Sequence, residues 1–553
     1  MRKSSLASIV VVGLSGWTLA QAANQPPVAS FVVTPAQAAI GQSFSVDASG
    51  STDDHTAVSK LLVRWDWEND GTWDTAYTTV KTATHAYPGV GQKTIALQVQ
   101  DQQGATGTTT RVVQVIPLVG RLSVGPTSRE PDVDINPTSS TNIVVSVATS
   151  GGSGLNISDP AFFTQNSGAS WTQSVGHDSN RCADPGIEFT PGGTAVLMSL
   201  DDTACDGNLQ GMQIDLSTNG GAEFQRAGYA FHENTLFLLP DGSSRAVCGK
   251  RANYPCMQPS DFDDLFFDYP KIASDKGLAS PYSGNLYAIA HNVPFDQDGD
   301  AVCESHYTVF ARSTDGGGSW TSAQALSTLG FTSALGVGAD GTVYHAAATN
   351  GAPCPASKGI ALKRSIDGGA TFGAPTCAYN ASGDLTPVRT WPAADPSSAA
   401  RVYVVFDAAA ASLGGSVHVY AIRSTDGGNT WSAPVRIDAV LPGDVVDHYR
   451  PSLSVSSSGR LDVAWFDYRN SSPTRAIANG QLADVYYAYS LDFGVTWSAN
   501  LRLSPVSQGA LYGGFNDFLT VTSAGTRAYV AYSLSSTGAP ADYQATLGTL
   551  DFQ

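Results

Sequence analysis

Charge is what this 553-residue chain has least of: Asp, Glu, Lys and Arg together make up 14% of it. The basic share is smaller still, 30 Lys and Arg against 48 Asp and Glu, for a formal net charge of −18. That balance excludes a surface that gathers nucleic acid or anionic membrane by long-range attraction. It leaves room for an anionic sugar held by a few local arginines. Apolar runs long enough to span a bilayer are missing after the first residues, so no membrane insertion is expected. Sustained helical periodicity is missing too. The seven cysteines (Cys182, Cys205, Cys248, Cys256, Cys303, Cys354, Cys377) lack metal-finger spacing.

What is present instead is glycine, 56 residues of it, set among short runs of Val, Tyr, Ile and Thr. Runs of that kind bounded by Gly, Asp, Asn and Ser predict an all-β protein. Its length predicts more than one domain or a large repeat array. The start, Met1-Arg2-Lys3, then "SIVVVGLSGWTLA" and Ala20-Gln21-Ala22, predicts a secretory leader over residues 1–22. A bacterial protein, exported to the periplasm or beyond and monomeric, is expected. In such an oxidising compartment Cys182–Cys205, Cys248–Cys256 and Cys354–Cys377 are short-range pairs that can staple loops, with Cys303 left over.

Residues 24–116 read as a small β-sandwich. "VDASGSTDDH", "RWDWENDGTWD" and "HAYPGVGQKTIALQVQD" resemble the PKD domain, an immunoglobulin-like module of secreted proteins. The resemblance implies a spacer or a weak binder of polysaccharide or protein. Ser51, Asp53, Asp54 and Asp66 offer oxygen ligands for calcium there, or serve as solvated turn acids.

From residue 119 to 553 a longer repeat runs. Seven first strands ("EPDVDI", "DPGIEF", "YPKIAS", "SALGVG", "WPAADP", "RPSLSV", "NDFLTV") each precede a second strand, such as "GRLDVAWF". A third strand then leads into an octet: "STDGGNTW" at Ser424, "STDGGGSW" at Ser313, "SIDGGATF" at Ser365, "SLDFGVTW" at Ser490, and the weaker "STNGGAEF" at Ser217 and "TQNSGASW" at Thr164. Four strands per repeat predict a β-propeller, of seven blades with six as the alternative. The last segment lacks an outer strand, which "GRLSVG" at Gly120 can supply. An insertion between Ala227 and Phe266 is expected to form a loop over one face.

The octet resembles the Asp box of the sialidase superfamily. Its Asp and Gly residues suit a tight turn between the third and fourth strands. Asp315, Asp367, Asp426 and Asp492 are therefore expected to be structural and to lie at the rim, away from any site. Function is expected where first strands begin and second strands end, at the mouth of the hub.

The densest stretch there is "DVVDHYRPSLSVSSSGRLDVAWFDYRN". His448 and Tyr449 are expected to move protons, Asp447 to orient the histidine and Arg450 to bind a carboxylate. Asp467 and Arg469 join them from the neighbouring strand. The resemblance implies an arginine triad with an Asp acid/base and a Tyr nucleophile. Arg129, Arg389 and Arg450 are the candidate triad, and Tyr449, Tyr512 or Tyr532 the nucleophile. Asp268 and Lys271 are further candidates for substrate binding. No Asp follows the second strand of the first segment, "SVATSGGSGLN", a departure from the sialidase pattern.

The implied function is a glycoside hydrolase of exo-sialidase type acting on an acidic glycan. Two alternatives stand beside it. One is a lyase on a uronate polysaccharide, with His177, His291 or His448 as base; the other is a propeller that only binds glycan or protein. No organic cofactor is expected. "DQDGDAVCE" places Asp296, Asp298, Asp300 and Glu304 at a spacing that can wrap a structural calcium ion or stand as a solvated acidic turn.

Overall fold

The structure is a computed structural model. It describes residues 23–127, 129–150, 157–158, 160–176, 185–200, 211–232, 236–238, 244–246, 268–295, 305–327, 334–356, 358–438, 446–470, 483–505, 519–534 and 544–552. The chain divides into two compact units, with the boundary between Pro117 and Leu118.

The first unit is a β-sandwich. Val32–Thr34, Ser43–Asp47 and Thr82–Ala86 form one sheet; Gln37–Ala39, Thr106–Ile116, Gly91–Gln100 and Leu62–Asp66 form the other. Alternating residues of both sheets bury Phe44, Val46, Val63, Trp65, Leu97 and Val99 between them. Trp65 stacks on Trp67, with ring centroids 5.7 Å apart. The four residues that could hold calcium or serve as turn acids are each committed locally. Ser51 bonds Ser30, Asp53 accepts from the amides of His55 and Thr56, Asp54 pairs with His55, and Asp66 accepts from the amides of Asp70 and Gly71. The acids that gather around Asp66 are Glu68 and Asp74.

The second unit is a β-propeller. Among the described residues it holds seven sheets, each built on a four-stranded antiparallel meander. Their first strands are Arg129–Ile135, Gly186–Phe189, Asp268–Ser274, Gly336–Val337, Leu385–Ala394, His448–Val455 and Thr520–Ala524, which define blades 1 to 7. Each first strand touches the next, and that of blade 7 touches that of blade 1, so the ring closes around a hub. The outer strand of blade 7 is Leu118–Thr127, which pairs antiparallel with Gln544–Asp551 and ties the two ends of the ring together.

Core clusters lie between blades rather than within them. One joins Tyr344, Ile360 and Leu362 of blade 4 to Val402, Val404 and Phe406 of blade 5. A single blade has two apolar faces and can bury them only against neighbours, so the ring is the cooperative unit.

One expectation needs correction. The described part of the insertion, Leu236–Leu238 and Ser244–Ala246, is not a loop over a face. It extends the outer edge of blade 3, through a parallel pairing of Leu238 with Gln324. The octet aromatics pack between blades. Trp431 of blade 5 rests on the cluster shared by blades 4 and 5, and Trp497 of blade 6 on the one shared by blades 5 and 6.

The octets form one repeated corner. In "STDGGNTW" the Ser424 hydroxyl donates to Asp426 Oδ1 at 2.7 Å and accepts from the Gly428 amide at 2.8 Å. The Thr430 amide and hydroxyl donate to the two Asp426 oxygens at 2.8 and 2.6 Å. The same pattern recurs at Asp315, Asp367 and Asp492, and with an asparagine at Asn166 and Asn219. Gly427 and Gly428 both have positive φ, 70° and 83°. A Cβ on Gly428 would also stand 3.0 Å from Leu362 of the preceding blade. Cys354 and Cys377 form a disulfide on blade 4. The other two expected cysteine pairs, and Cys303, lie outside the described residues.

Candidate functional site

The hub wall can be built from register alone. Just past the end of each first strand stands a residue whose amide bonds back across the hairpin: Asn136, Thr190, Asp275, Gly338, Asp395 and Ser456 in blades 1 to 6. In a strand, alternate residues share a face. Counting back two, four and six residues from these anchors therefore selects the residues on the hub face.

The tier nearest the hairpins holds Asp134 and Glu188. The middle tier holds Asp132, Lys271, Trp391 and Ser452. The outer tier, at the mouth, holds Glu130, Arg389 and Arg450. A cavity of about 240 Å³ in the hub is lined by Asp132, Asp134, Glu188, Lys271 and Trp391, with strand residues from all seven blades. Acidic groups gather on blades 1 and 2, and basic ones on blades 3, 5 and 6.

Carboxylates on this wall stitch one blade to the next. Asp132 accepts from the Ile187 amide, Asp134 from Phe189 and Glu188 from Ser274, at 3.2, 2.7 and 3.2 Å. Lys276 bridges Asp134 and Glu188 at 2.7 and 2.9 Å. Burial, then the neighbouring Asp134, pushes Glu188 up to about 8, against the opposing pull of Lys276. Burial alone would lower the Lys276 ammonium, but Asp134 and Glu188 outweigh it and keep it charged. Lys271 sits over the Trp391 ring at 6.0 Å.

At the mouth, Asp407 from the second strand of blade 5 accepts the Arg389 amide at 2.7 Å and the Arg450 amide at 2.9 Å. One buried carboxylate thus fixes the backbone under both arginines. Burial raises the pKa of Asp407, with Arg389 and Arg450 opposing. Burial lowers that of Arg450, and the Arg389 guanidinium lowers it further, so the two cations feel each other. Arg450 has φ of 55° and Glu130 has 51°, both just before a proline and both at a break in register with the second strand. Bulges and positive φ at non-glycine residues aim side chains at functional sites. The Tyr449 and Tyr468 hydroxyls are hydrogen-bonded to each other. Burial raises Tyr449, while the Tyr468 bond and the two arginines act to lower it.

The remaining expected residues are placed less simply. His448 and Asp467 are fully buried, and neither can meet a substrate in this conformation. His448 Nδ1 lies 2.9 Å from Asp467 Oδ2. Asp467 also receives the Trp465 indole N–H and both Nε and Nη2 of Arg469. Burial would raise Asp467, but His448 and Arg469 hold it well below the usual carboxylate range. Arg469 is likewise committed: it bonds Asn500 and covers the Tyr486 ring at 4.0 Å. These three support the mouth from below instead of lining it. Asp447 is half-buried and accepts the Val417 amide at 2.8 Å.

Arg129 pairs with Ala148, and the register position matching Arg389 and Arg450 falls on Glu130. Asp268 lies in the first strand of blade 3, opposite His291. His291 is buried, with Nδ1 2.9 Å from Thr308 Oγ1, and Tyr532 is buried with its hydroxyl donating to the Leu503 carbonyl. Asp296, Asp298, Asp300, Glu304, His177 and Tyr512 lie outside the described residues. Sequence reasoning missed Trp391, Asp132, Asp134, Glu188 and Lys276; counting by twos from the hairpin would have found all but Lys276.

Residues 24–116 match the family model of the PKD domain, so the chain carries a PKD domain at its N-terminal end. The PKD1 domain of Vibrio anguillarum Epp is 34% identical over 17% of this chain and 96% of that one, with a TM-score of 0.14. A protein of unknown function from Dyadobacter fermentans is 11% identical over 79% of this chain and all of that one, at a TM-score of 0.41. The NanB sialidase from Streptococcus pneumoniae is 11% identical, covering 96% and 93% of the two chains, at 0.35. The α-L-arabinofuranosidase Arb93A from Fusarium graminearum is 10% identical, covering 78% and 94%, at 0.37. Likeness at these levels assigns neither substrate nor activity. No curated protein matches the chain.

Proposed function

We propose that this protein is a carbohydrate-active propeller, a glycoside hydrolase of sialidase type that takes an acidic glycan at the mouth of the hub. One observation carries the reading. Arg389 and Arg450 occupy equivalent positions on adjacent blades, side by side, on backbones held by the single carboxylate of Asp407. Two guanidinium groups on a rigid wall match the geometry of a sugar carboxylate. Trp391, one ladder step inward from Arg389, offers a face for the sugar ring.

Tyr449 is the nucleophile in this reading. Its phenol is poised beside Arg450 and bonded to Tyr468, and Asp447 is the half-buried carboxyl next to it that protonates the leaving oxygen. Asp467, His448 and Arg469 position this strand. His448 has no exposed surface and both its ring nitrogens face buried carboxylates, which speaks against its use as the base of a lyase.

The test is a product screen on purified protein with sialosides and with uronate polysaccharides. New reducing ends or free sialic acid without ultraviolet absorbance support hydrolysis. A conjugated double bond would make it a lyase, and binding without turnover would make it a lectin-like propeller. If Arg389→Ala and Arg450→Ala leave both turnover and glycan binding intact, the site is misplaced.

A further inference from the structure

Under the mouth, between blades 5 and 6, three donor atoms from three separate segments converge in a fully buried cluster. They are His418 Nδ1 from the third strand of blade 5, Asp438 Oδ2 from just beyond its fourth strand, and His448 Nε2 from the first strand of blade 6. His418 Nδ1 lies 2.7 Å from Asp438 Oδ2, and His448 Nε2 lies 3.4 Å from the same oxygen. All three side chains have no exposed surface.

The proton arrangement is set from outside the cluster. The Ser416 hydroxyl donates its one hydrogen to the Leu413 carbonyl at 2.9 Å. Its oxygen, 2.8 Å from His418 Nε2, must therefore accept from an Nε2–H. In neutral His418 that leaves Nδ1 with a lone pair, facing a carboxylate oxygen at 2.7 Å. Two lone pairs at that distance repel, and the cation that now offsets the repulsion is the Arg436 guanidinium, which reaches both groups from the edge of the cluster. For His448, Nδ1 faces Asp467 at 2.9 Å, which favours the proton there and leaves the lone pair on Nε2. Neither ring nitrogen of His448 meets hydrogen-bond geometry among the described residues: Nδ1 stands at contact distance from Asp467, and Nε2 is aimed at Asp438.

We infer that His418, Asp438 and His448 form a site for a first-row divalent transition ion, zinc above all. Two imidazoles and a carboxylate are a zinc donor set, and bonds of ~2.0 Å at tetrahedral angles put donors about 3.3 Å apart. The His448–Asp438 spacing already meets that figure; the His418–Asp438 spacing has to open by about half an ångström. The surrounding groups match what metal-bound histidines use: a hydroxyl on the far nitrogen of one ring and a carboxylate on that of the other. Arg436 now donates to His418 Nδ1 at 2.9 Å and to Asp438 Oδ1 at 2.8 Å. Metal entry displaces the first contact and keeps the second, because this guanidinium is partly exposed and can pivot. The ion staples blade 5 to blade 6 directly beneath Tyr449 and Arg450. The inference is independent of what the hub binds or cleaves.

The test uses the full chain. Protein is stripped with a chelator and exchanged into metal-free buffer. It is then titrated with zinc by calorimetry, and with cobalt(II) by visible spectroscopy. The expected result is about one equivalent bound through this site, a low-coordinate cobalt spectrum and a rise in Tm on loading. His418→Gln and Asp438→Asn should each lose the spectrum and the Tm rise. Because either could disturb folding, Arg436→Gln is the second arm: it leaves all three donors in place and should bind zinc more tightly than the parent. Absence of stoichiometric binding overturns the inference, and so does binding that survives both donor substitutions. In either case the cluster is a proton-held ion network.

Discussion

The corners of the propeller and its hub both spend carboxylates, and they use them in opposite ways. At the rim, Asp426 accepts from Ser424 and Thr430 within a single turn, and those bonds, the Thr430 hydroxyl first, pull it down to about 2. In the hub, Glu188 reaches to the next blade, is buried beside Asp134, and is pushed up to about 8. The corner is self-sufficient and is copied from blade to blade; the hub groups are not repeated around the ring. Repetition marks what every blade needs to fold, and departures from it mark what the ring does as a whole.

The largest effect expected from that contrast is on turnover. Arg450→Ala should lower kcat/KM on an acidic glycan by about 10²–10³-fold, the usual cost of removing a preorganised group at a charged centre. Arg450→Lys should recover little of it, since an ammonium cannot reproduce a paired contact. Asp426→Ala, measured in parallel, should leave kcat/KM unchanged. If the two substitutions act alike, the division between hub and corner is wrong.

That division was mostly legible in the sequence, for a physical reason. Strand alternation and the octet's turn chemistry are local, so the corners, the four-strand repeat and the closing role of the strand around Gly120 could all be read from short stretches. The hub was legible only as a region. Whether Arg129 or Glu130 faces inward depends on a bulge at Ser146/Ala148, a single-residue shift that no local pattern announces. Whether His448 is exposed depends on Asp438, which arrives from the preceding blade. Lys276 reaches the hub from beyond the end of a strand, where counting by twos no longer applies.

Next in size is the sugar platform. Trp391→Ala should raise KM about tenfold, equivalent to ~1.4 kcal/mol of lost stacking, with a smaller change in kcat. Trp391 also rests on the core cluster between blades 5 and 6, so Trp391→Phe is the control that retains packing. A phenylalanine that restores stability but not KM would place the loss in the hub. One that restores both would make Trp391 a packing residue with no hub role.

The smallest effects are on stability, and they run in opposite directions with pH. Glu188 binds its proton more tightly folded than unfolded. Its contribution is therefore fully present below the ordinary range near 4.5 and is lost as pH rises through about 8. Tm should decline across that window, and Glu188→Gln should flatten the decline. Asp426 is the reverse case: its contribution is present above about 4 and is lost as pH falls through about 2. Thr430→Val removes the first of the bonds that lower it. The substitution should cost about a degree or two of Tm at neutral pH and make the acid limb shallower, with kinetics untouched. Thermal unfolding of both variants from pH 2 to 9 resolves the two limbs, because Gln at 188 changes the slope of Tm against pH only above the ordinary carboxylate range and Val at 430 changes it only below that range. A variant that moved both limbs would mean that hub and corner titrate as one network, and the rim could no longer be treated as scaffold alone.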